Sequence, residues 1–362
     1  MGLWTPRSPK ARDLGHPDCC RVEGEPIRGF LHCPFGFAQG SVEMTGWGGV
    51  EECGQGLGRY NRRMGFERRG RFDWRLRTRG LALGERTRIM GIVNLTMDSF
   101  SGDGVAGAGV DASIEAALAA VDGGADIVDL GAESTRPGTE AASAEEEQGR
   151  LLPVLEALLK ERPGAIVSVD TYHAATARAA AAAGAEIVND VSGLLWDEGM
   201  VAVVAVTGCG LVLMHTRGRS KEWRTQPALE PREVVVPVVM GGLRKQLVVA
   251  QDAGVAREKI VVDPGFGFGK LGRENFVLLA GMEELQKLGY PVLAGVSRKG
   301  FLGEAVRGLQ GRDMAVGEAR LMATVAGNVA AVLQGAHVLR VHDVQAAREA
   351  AAVADEVLRG SQ

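Results

Sequence analysis

The chain has 362 residues, a formal net charge of −4, 46% hydrophobic residues and 24% charged residues. That balance excludes a strongly basic nucleic-acid binder, and any anion site must be a local concentration of cations. No run of about 18 or more apolar residues occurs, and no basic segment with an apolar core opens the chain, so a cytoplasmic protein without membrane contact is expected.

Residues 1–72 are rich in Gly and Arg, lack sustained periodicity and have few aliphatic runs. Such a segment cannot bury enough apolar surface to offset its chain entropy, so it reads as a disordered extension. Met64 would serve as an alternative start. Cys19, Cys20, Cys33 and Cys53 lie in this stretch, in neither a zinc spacing nor a disulfide framework; Cys209 reads as a free core thiol.

Residues 73–362 read as one (β/α)8 barrel of the TIM type. Residues 74–83 are predicted to form a hairpin closing the barrel's N-terminal end. Strands are predicted over 89–96, 126–131, 166–170, 186–191, 211–215, 260–263, 292–297 and 337–342. Helical stretches fill the gaps, among them 144–160, 174–183, 234–250 and 317–333. An open doubly wound sheet is the alternative topology.

In a barrel the chemistry sits on the loops after the strands, and every predicted strand here ends in polar residues. In chain order these are Asn94 with Thr96 and the Gly-bearing loop through Asp103, then Glu133 to Pro137, Asp170, Asn189 with Asp190, and His215. Asp263 with the 265–270 segment, Ser297 to Lys299, and Arg340 with His342 and Asp343 complete the set. Each alone has a bland explanation, because Asp and Asn cap helices and a single lysine or histidine is often structural. Eight polar ends of both charge signs point instead to one pocket. Asp170, Asn189, Asp263 and Lys299 suit a flat heterocycle with amide and amino edges, with Phe268, Met214 and Phe266 able to cover its faces. Arg340, His342 and Asn94 suit a phosphate-like anion. The GFGFGK segment is neither a Walker A loop nor a Rossmann fingerprint.

The segments MGIVNLTMDSFSGDG, GADIVDLGAESTRPG, VSVDTY, EIVNDVSG, LMHTRG, DPGFGFGK, GVSRKGFLG and LRVHDV, in this order, closely resemble the dihydropteroate synthase family of pterin-binding barrels. The resemblance covers residues 74–358. It implies condensation of 6-hydroxymethyl-7,8-dihydropterin pyrophosphate with p-aminobenzoate, releasing pyrophosphate, in folate biosynthesis. It further implies that Asp170, Asn189, Asp263 and Lys299 hold the pterin, with Met214 and Phe268 lining it. Arg340 would stack on the pterin and contact pyrophosphate, together with Asn94 and His342, and Mg2+ would lie near Asn94. Thr135, Arg136, Pro137, Ser297 and Phe100 would frame the p-aminobenzoate site, and Asp103 would pair with Arg136 in a closed state. A homodimer through the late helices is implied as well.

Three residues depart from the family pattern: Met97 stands for a usual proline, Ala132 for a glycine and His173 for a lysine. Two other readings share the pterin floor. A methyltetrahydrofolate:corrinoid methyltransferase would not need the pyrophosphate cations, and a non-catalytic pterin-binding paralogue would not need the intact set of charged residues.

Overall fold

Short β-branched runs such as Ile127-Val128 and Ile260-Val261-Val262 are apolar on both faces, as parallel strands covered by helices must be. The computed structural model, which describes residues 69–95, 109–132, 142–307 and 316–361, has ten strands among them. β1 (Phe72–Arg75) and β2 (Gly80–Leu83) pair antiparallel as the expected hairpin. The barrel strands are β3 (Arg88–Asn94), β4 (Ile127–Gly131), β5 (Val167–Asp170), β6 (Ile187–Asp190) and β7 (Gly210–Met214). They continue with β8 (Ile260–Asp263), β9 (Leu293–Ala294) and β10 (Val338–Val341). They pair in parallel in the order β8-β7-β6-β5-β4-β3-β10-β9. A parallel bridge between Val262 and Val292 joins the two ends of that order, with Val262 N–H donating to Pro291 O at 2.9 Å. The sheet is therefore closed, and the doubly wound alternative falls.

Helices follow the strands: α1 (Val110–Asp122), α2 (Ala144–Glu161), α3 (Ala174–Ala183), α4 (Met200–Thr207), α5 (Val235–Asp252), α6 (Glu274–Ala280), α7 (Gly300–Val306), α8 (Val316–Leu333) and α9 (Val344–Gly360). Ser143 caps α2 through a reciprocal box: Glu146 N–H donates to Ser143 Oγ at 3.2 Å, and Ser143 N–H donates to Glu146 Oε2 at 3.0 Å. The small residues of α3 bury Thr176, Ala177, Ala180 and Ala181, so the low-complexity run is a closely packed face.

The seventh strand departs from expectation, with two residues where 292–297 was predicted. After Ala294 the chain turns at Val296–Lys299, where Lys299 N–H donates to Val296 O at 3.2 Å, so the polar residues of this segment leave the ladder to form a turn.

The hairpin plugs the bottom of the barrel. Trp74, Leu76, Leu81 and Leu83 pack against Met90, Ile127, Ile187, Val212, Val261, Leu293 and Val338, one residue from each of seven strands. Trp74 is 1% exposed and its indole N–H donates to Lys259 O at 2.8 Å, so the polar edge is satisfied where the ring is buried. The chain is tied down before the hairpin begins. Arg69 donates to Thr87 Oγ1 at 2.6 Å, Ala336 O at 2.8 Å and Asp355 Oδ1 at 2.5 Å. With apolar side chains filling the barrel interior at that end, the polar strand ends gather at the opposite one.

Candidate active site

The interior of β4 reads Ile-Val-Asp-Leu-Gly and carries Asp129 at its centre, fully buried. An unpaired carboxylate there would be costly, and β10 supplies its cation. Arg340 Nε–H donates to Asp129 Oδ2 at 2.6 Å, while Nη2–H of the same guanidinium donates to Asp170 Oδ2 at the end of β5. Asn189 of β6 adds an amide N–H to Asp129 Oδ2 at 3.1 Å. Four strands thus converge on one charge cluster. Asp129 Oδ1 is enclosed with no hydrogen-bond partner among the described residues.

Burial would lower the pKa of Arg340, but Asp129 and Asp170 together raise it above its ordinary value, so it remains a cation at any working pH. Burial lifts Asp170 to about 7 against the pull of Arg340, with Asp129 adding to the rise. Asp263 of β8 is also raised by burial, with Gly265 N–H donating to its Oδ1 at 2.7 Å in partial compensation. That contact depends on glycine: Gly265 has φ +68°, and a Cβ there would stand 2.0 Å from His215 O. Lys299 is brought down to about 8 by burial and by the nearby Arg340 charge. Its Nζ lies 4.1 Å from the centre of the Phe268 ring, a cation–π contact.

Phe268 belongs to an apolar wall with Val191, Met214 and Trp223, flanked by Tyr172 and Trp196. Phe268 and Trp223 meet edge to face at 4.7 Å. Phe266, expected to help cover the ligand, instead stacks on Phe301 at 6.1 Å within the core. Alternating glycines in the GFGFGK segment send the two phenylalanines to different neighbours.

His342 follows β10. Burial, then the charges of Arg298 and Arg340, depress its pKa to about 3, so it is neutral. Its backbone N–H donates to Ser297 Oγ at 3.2 Å, and Ser297 Oγ lies 3.1 Å from its Nδ1. A Ser297 hydroxyl proton directed at Nδ1 would leave the imidazole proton on Nε2 as a donor. Asn94 ends β3 half-buried beside Gly131.

Several polar strand ends are structural, as their bland readings hold. Asp190 accepts from Ser192 N–H at 2.8 Å and Leu194 N–H at 2.7 Å, capping its own loop. Lys270 is buried and donates to His215 O and Gly265 O, both at 2.8 Å, tying two loops together. His215 is kept neutral by burial, its pKa lowered to about 2. His173, at the family's lysine position, meets the buried Glu147 at 3.0 Å, and Ala132 is fully buried. Phe100, Asp103, Thr135, Arg136, Pro137 and Met97 lie outside the described residues.

The structure brings together Asp170, Asn189 and Arg340 on one network, Ser297 with His342, and Lys299 with Phe268. It adds Asp129, which a search confined to strand ends passes over. The signal was present: a charged residue in the middle of an apolar parallel strand is rare unless paired. Trp223 was hidden differently, because its loop has no periodicity to mark it as part of the wall.

A closed barrel whose mouth gathers buried carboxylates, an amide, two cations and an aromatic wall defines a binding enzyme for a flat, hydrogen-bonding ring. Residues 90–342 match the family model described as pterin binding enzyme. The dihydropteroate synthase of Clostridium beijerinckii is 39% identical over 278 residues, 76% of this chain and 96% of that protein. The crystal structure of Yersinia pestis dihydropteroate synthase with a sulfonamide drug complex is 36% identical with a TM-score of 0.70, covering 78% of this chain and 98% of that one. That of Xanthomonas albilineans dihydropteroate synthase with 4-aminobenzoic acid is 40% identical with a TM-score of 0.68, covering 79% and 98%. The chain belongs to the dihydropteroate synthase family of pterin-binding enzymes.

Proposed function

We infer that the chain condenses 6-hydroxymethyl-7,8-dihydropterin pyrophosphate with p-aminobenzoate to give 7,8-dihydropteroate and pyrophosphate. The observation that carries this reading is the Arg340 guanidinium fixed between Asp129 and Asp170 in a family match that reaches from the first barrel strand to the last. The desolvated Asp263 offers an acceptor for a ring N–H group, and Asn189 supplies an amide. Lys299 adds a cation above the Phe268 face, and Met214 completes the apolar wall.

The reaction needs charge stabilisation and alignment more than covalent help. As the C–O bond to pyrophosphate breaks, negative charge grows on the leaving group. Arg340, held rigid by two carboxylates, and the Nε2–H of neutral His342 would meet it without reorganising. Positive charge then spreads from the pterin methylene into the ring, where Asp129, Asp170 and Asp263 favour it. The arylamine attacks that carbon, and holding it in line lowers much of the barrier. The framing of p-aminobenzoate by Thr135, Arg136, Pro137, Ser297 and Phe100, and the Asp103–Arg136 pair, belong to the same proposal.

Among the described residues no group of three or more His, Cys, Asp or Glu could hold a metal by itself. Asn94 offers a single oxygen, which suits Mg2+, an ion usually held by one or two protein oxygens with substrate phosphates and water. When bound there, Mg2+ would supply neutralising charge to the pyrophosphate. A homodimer through the late helices fits the exposure of Met322 on α8 and of Val353 and Val357 on α9. No helix of the described residues is long and apolar enough to cross a membrane, which accords with a cytoplasmic place.

The test is formation of 7,8-dihydropteroate from the two substrates and Mg2+, followed by chromatography. The reading predicts product, with inhibition by a sulfonamide that added p-aminobenzoate relieves. Folded protein that binds a pterin and forms none would overturn it.

A further inference from the structure

The turn that carries Ser297 and Lys299 into the site is built on an arginine in a conformation that glycine normally takes. Arg298 has φ +55°, and among the described residues only Leu194 is another non-glycine with positive φ. It is the third residue of the turn closed by Lys299 N–H donating to Val296 O, a position where positive φ ordinarily selects glycine or asparagine. An arginine held at such a place points to a role for its side chain.

The side chain spans the gap to the neighbouring loop. Arg298 Nε–H donates to Asp343 Oδ2 at 3.1 Å, and Nη2–H donates to Asp343 Oδ1 at 2.8 Å, a two-pronged pairing that fixes orientation as well as distance. One residue earlier on each side, Ser297 Oγ meets His342 Nδ1 and accepts from His342 N–H. The two loops are therefore joined by two adjacent rungs, Ser297 to His342 and Arg298 to Asp343. From the outside, α8 braces the turn: Arg298 N–H donates to the buried Thr324 Oγ1 at 3.0 Å, and Arg320 Nη1–H donates to Arg298 O at 3.0 Å.

We propose that Arg298 and Asp343 are positioning residues for the condensation, a strut that holds Lys299, Ser297 and His342 in register across the gap between the seventh and eighth strands. Neither is required to touch substrate. Arg298 fixes the turn that sets Lys299 over Phe268, and Asp343 fixes the loop that sets His342. The proposal rests on the synthase reading, since the groups positioned are those assigned to the pterin and the pyrophosphate.

Arg298→Gly separates positioning from folding, because glycine adopts positive φ without strain. The expected result is an unfolding temperature within a few degrees of wild type and kcat/KM for the pterin pyrophosphate lowered at least tenfold. Arg298→Lys, which keeps the charge and loses the two-pronged geometry, should recover only part of that loss. Asp343→Ala should give a similar loss, and the double variant should be no worse than either single one. Wild-type kcat/KM in Arg298→Gly would overturn the proposal, as would losses that multiply in the double variant or activity falling only in step with unfolding. Wild-type activity is measured alongside; product from wild type with unchanged Arg298→Gly sinks the strut alone, whereas no product from folded wild type sinks the synthase reading.

Discussion

Arg340 Nε lies 2.6 Å from Asp129 Oδ2, and this pair joins the eighth barrel strand to the second across the mouth of the barrel. Asp129 has no exposed surface and Arg340 is 17% exposed at its side chain, so the guanidinium bridges a buried carboxylate to the open site. Holding Arg340 this way costs desolvation on folding and removes the need to order a long flexible side chain when substrate arrives.

Asp129→Asn should therefore injure binding as well as turnover. The amide keeps the shape but removes the negative charge that pairs with the guanidinium, a loss of about 1.5–3 kcal/mol. Calorimetry with a hydroxymethylpterin should show affinity lowered roughly 10- to 100-fold. Unchanged affinity would mean that the carboxylate serves only the fold.

Ser297→Ala releases the Nδ1 side of His342 and lets the imidazole proton move off Nε2. Turnover should fall by about tenfold, in the range of a lost orienting hydrogen bond, with pterin affinity little changed. Nitrogen chemical shifts of His342 report the tautomer directly. A wild-type tautomer in the variant would remove Ser297 from that role.

Lys299 titrates near 8 in the folded protein, below its ordinary value, so its charge is lost as pH rises through that point. If the ammonium is needed, kcat/KM for the pterin pyrophosphate should fall above about pH 8, and Lys299→Arg should lack that alkaline limb even if slower. The stability consequence has the opposite sign. The unfolded chain binds the Lys299 proton more tightly than the native one, so this residue's contribution grows more favourable between pH 8 and its ordinary pKa of about 10.4.

Acid should unfold the protein partly through its buried neutral histidines. His337 accepts from Val292 N–H at Nδ1, lies 3.1 Å from Gly70 O at Nε2, and is lowered by burial to about 4. Its stabilisation is fully present above the ordinary histidine value near 6.5 and is lost as pH falls through 4. His215 and His342 act in the same direction. Denaturant midpoints should fall steadily from pH 6.5 to 4, and His337→Gln should flatten part of that slope. An unchanged slope would assign acid sensitivity elsewhere.

The tie before the hairpin anchors Arg69 to Thr87, Ala336 and Asp355. Arg69→Ala would strand the buried Asp355 carboxylate, at a cost of about 3–5 kcal/mol. A chain starting at Met64 should match the full length in unfolding temperature, and one starting at Phe72 should be clearly less stable. Equal stability of all three would show the Arg69 cluster to be dispensable.

The barrel was legible because apolar strand runs and helical stretches alternate through the chain, and polar residues end each strand. Asp170, Asn189, Lys299 and Arg340 could be placed in one pocket on that rule alone. Asp129 could not, since it sits inside a strand and its partner is 211 positions away. β9 is shorter than the strand-like composition of Val292 to Ser297 predicts, because turn hydrogen bonds at Lys299 and the rungs to His342 decide the conformation there. Such long-range pairings have no local signature.

The most direct test is release of pyrophosphate from the pterin substrate with p-aminobenzoate and Mg2+, measured for wild type and Arg340→Ala beside pterin binding by each. The account predicts one pyrophosphate per dihydropteroate from wild type and a loss of at least about 100-fold in the variant, the scale of a removed transition-state charge contact. Folded wild type that binds pterin without releasing pyrophosphate, or an Arg340→Ala variant with undiminished release, would contradict it.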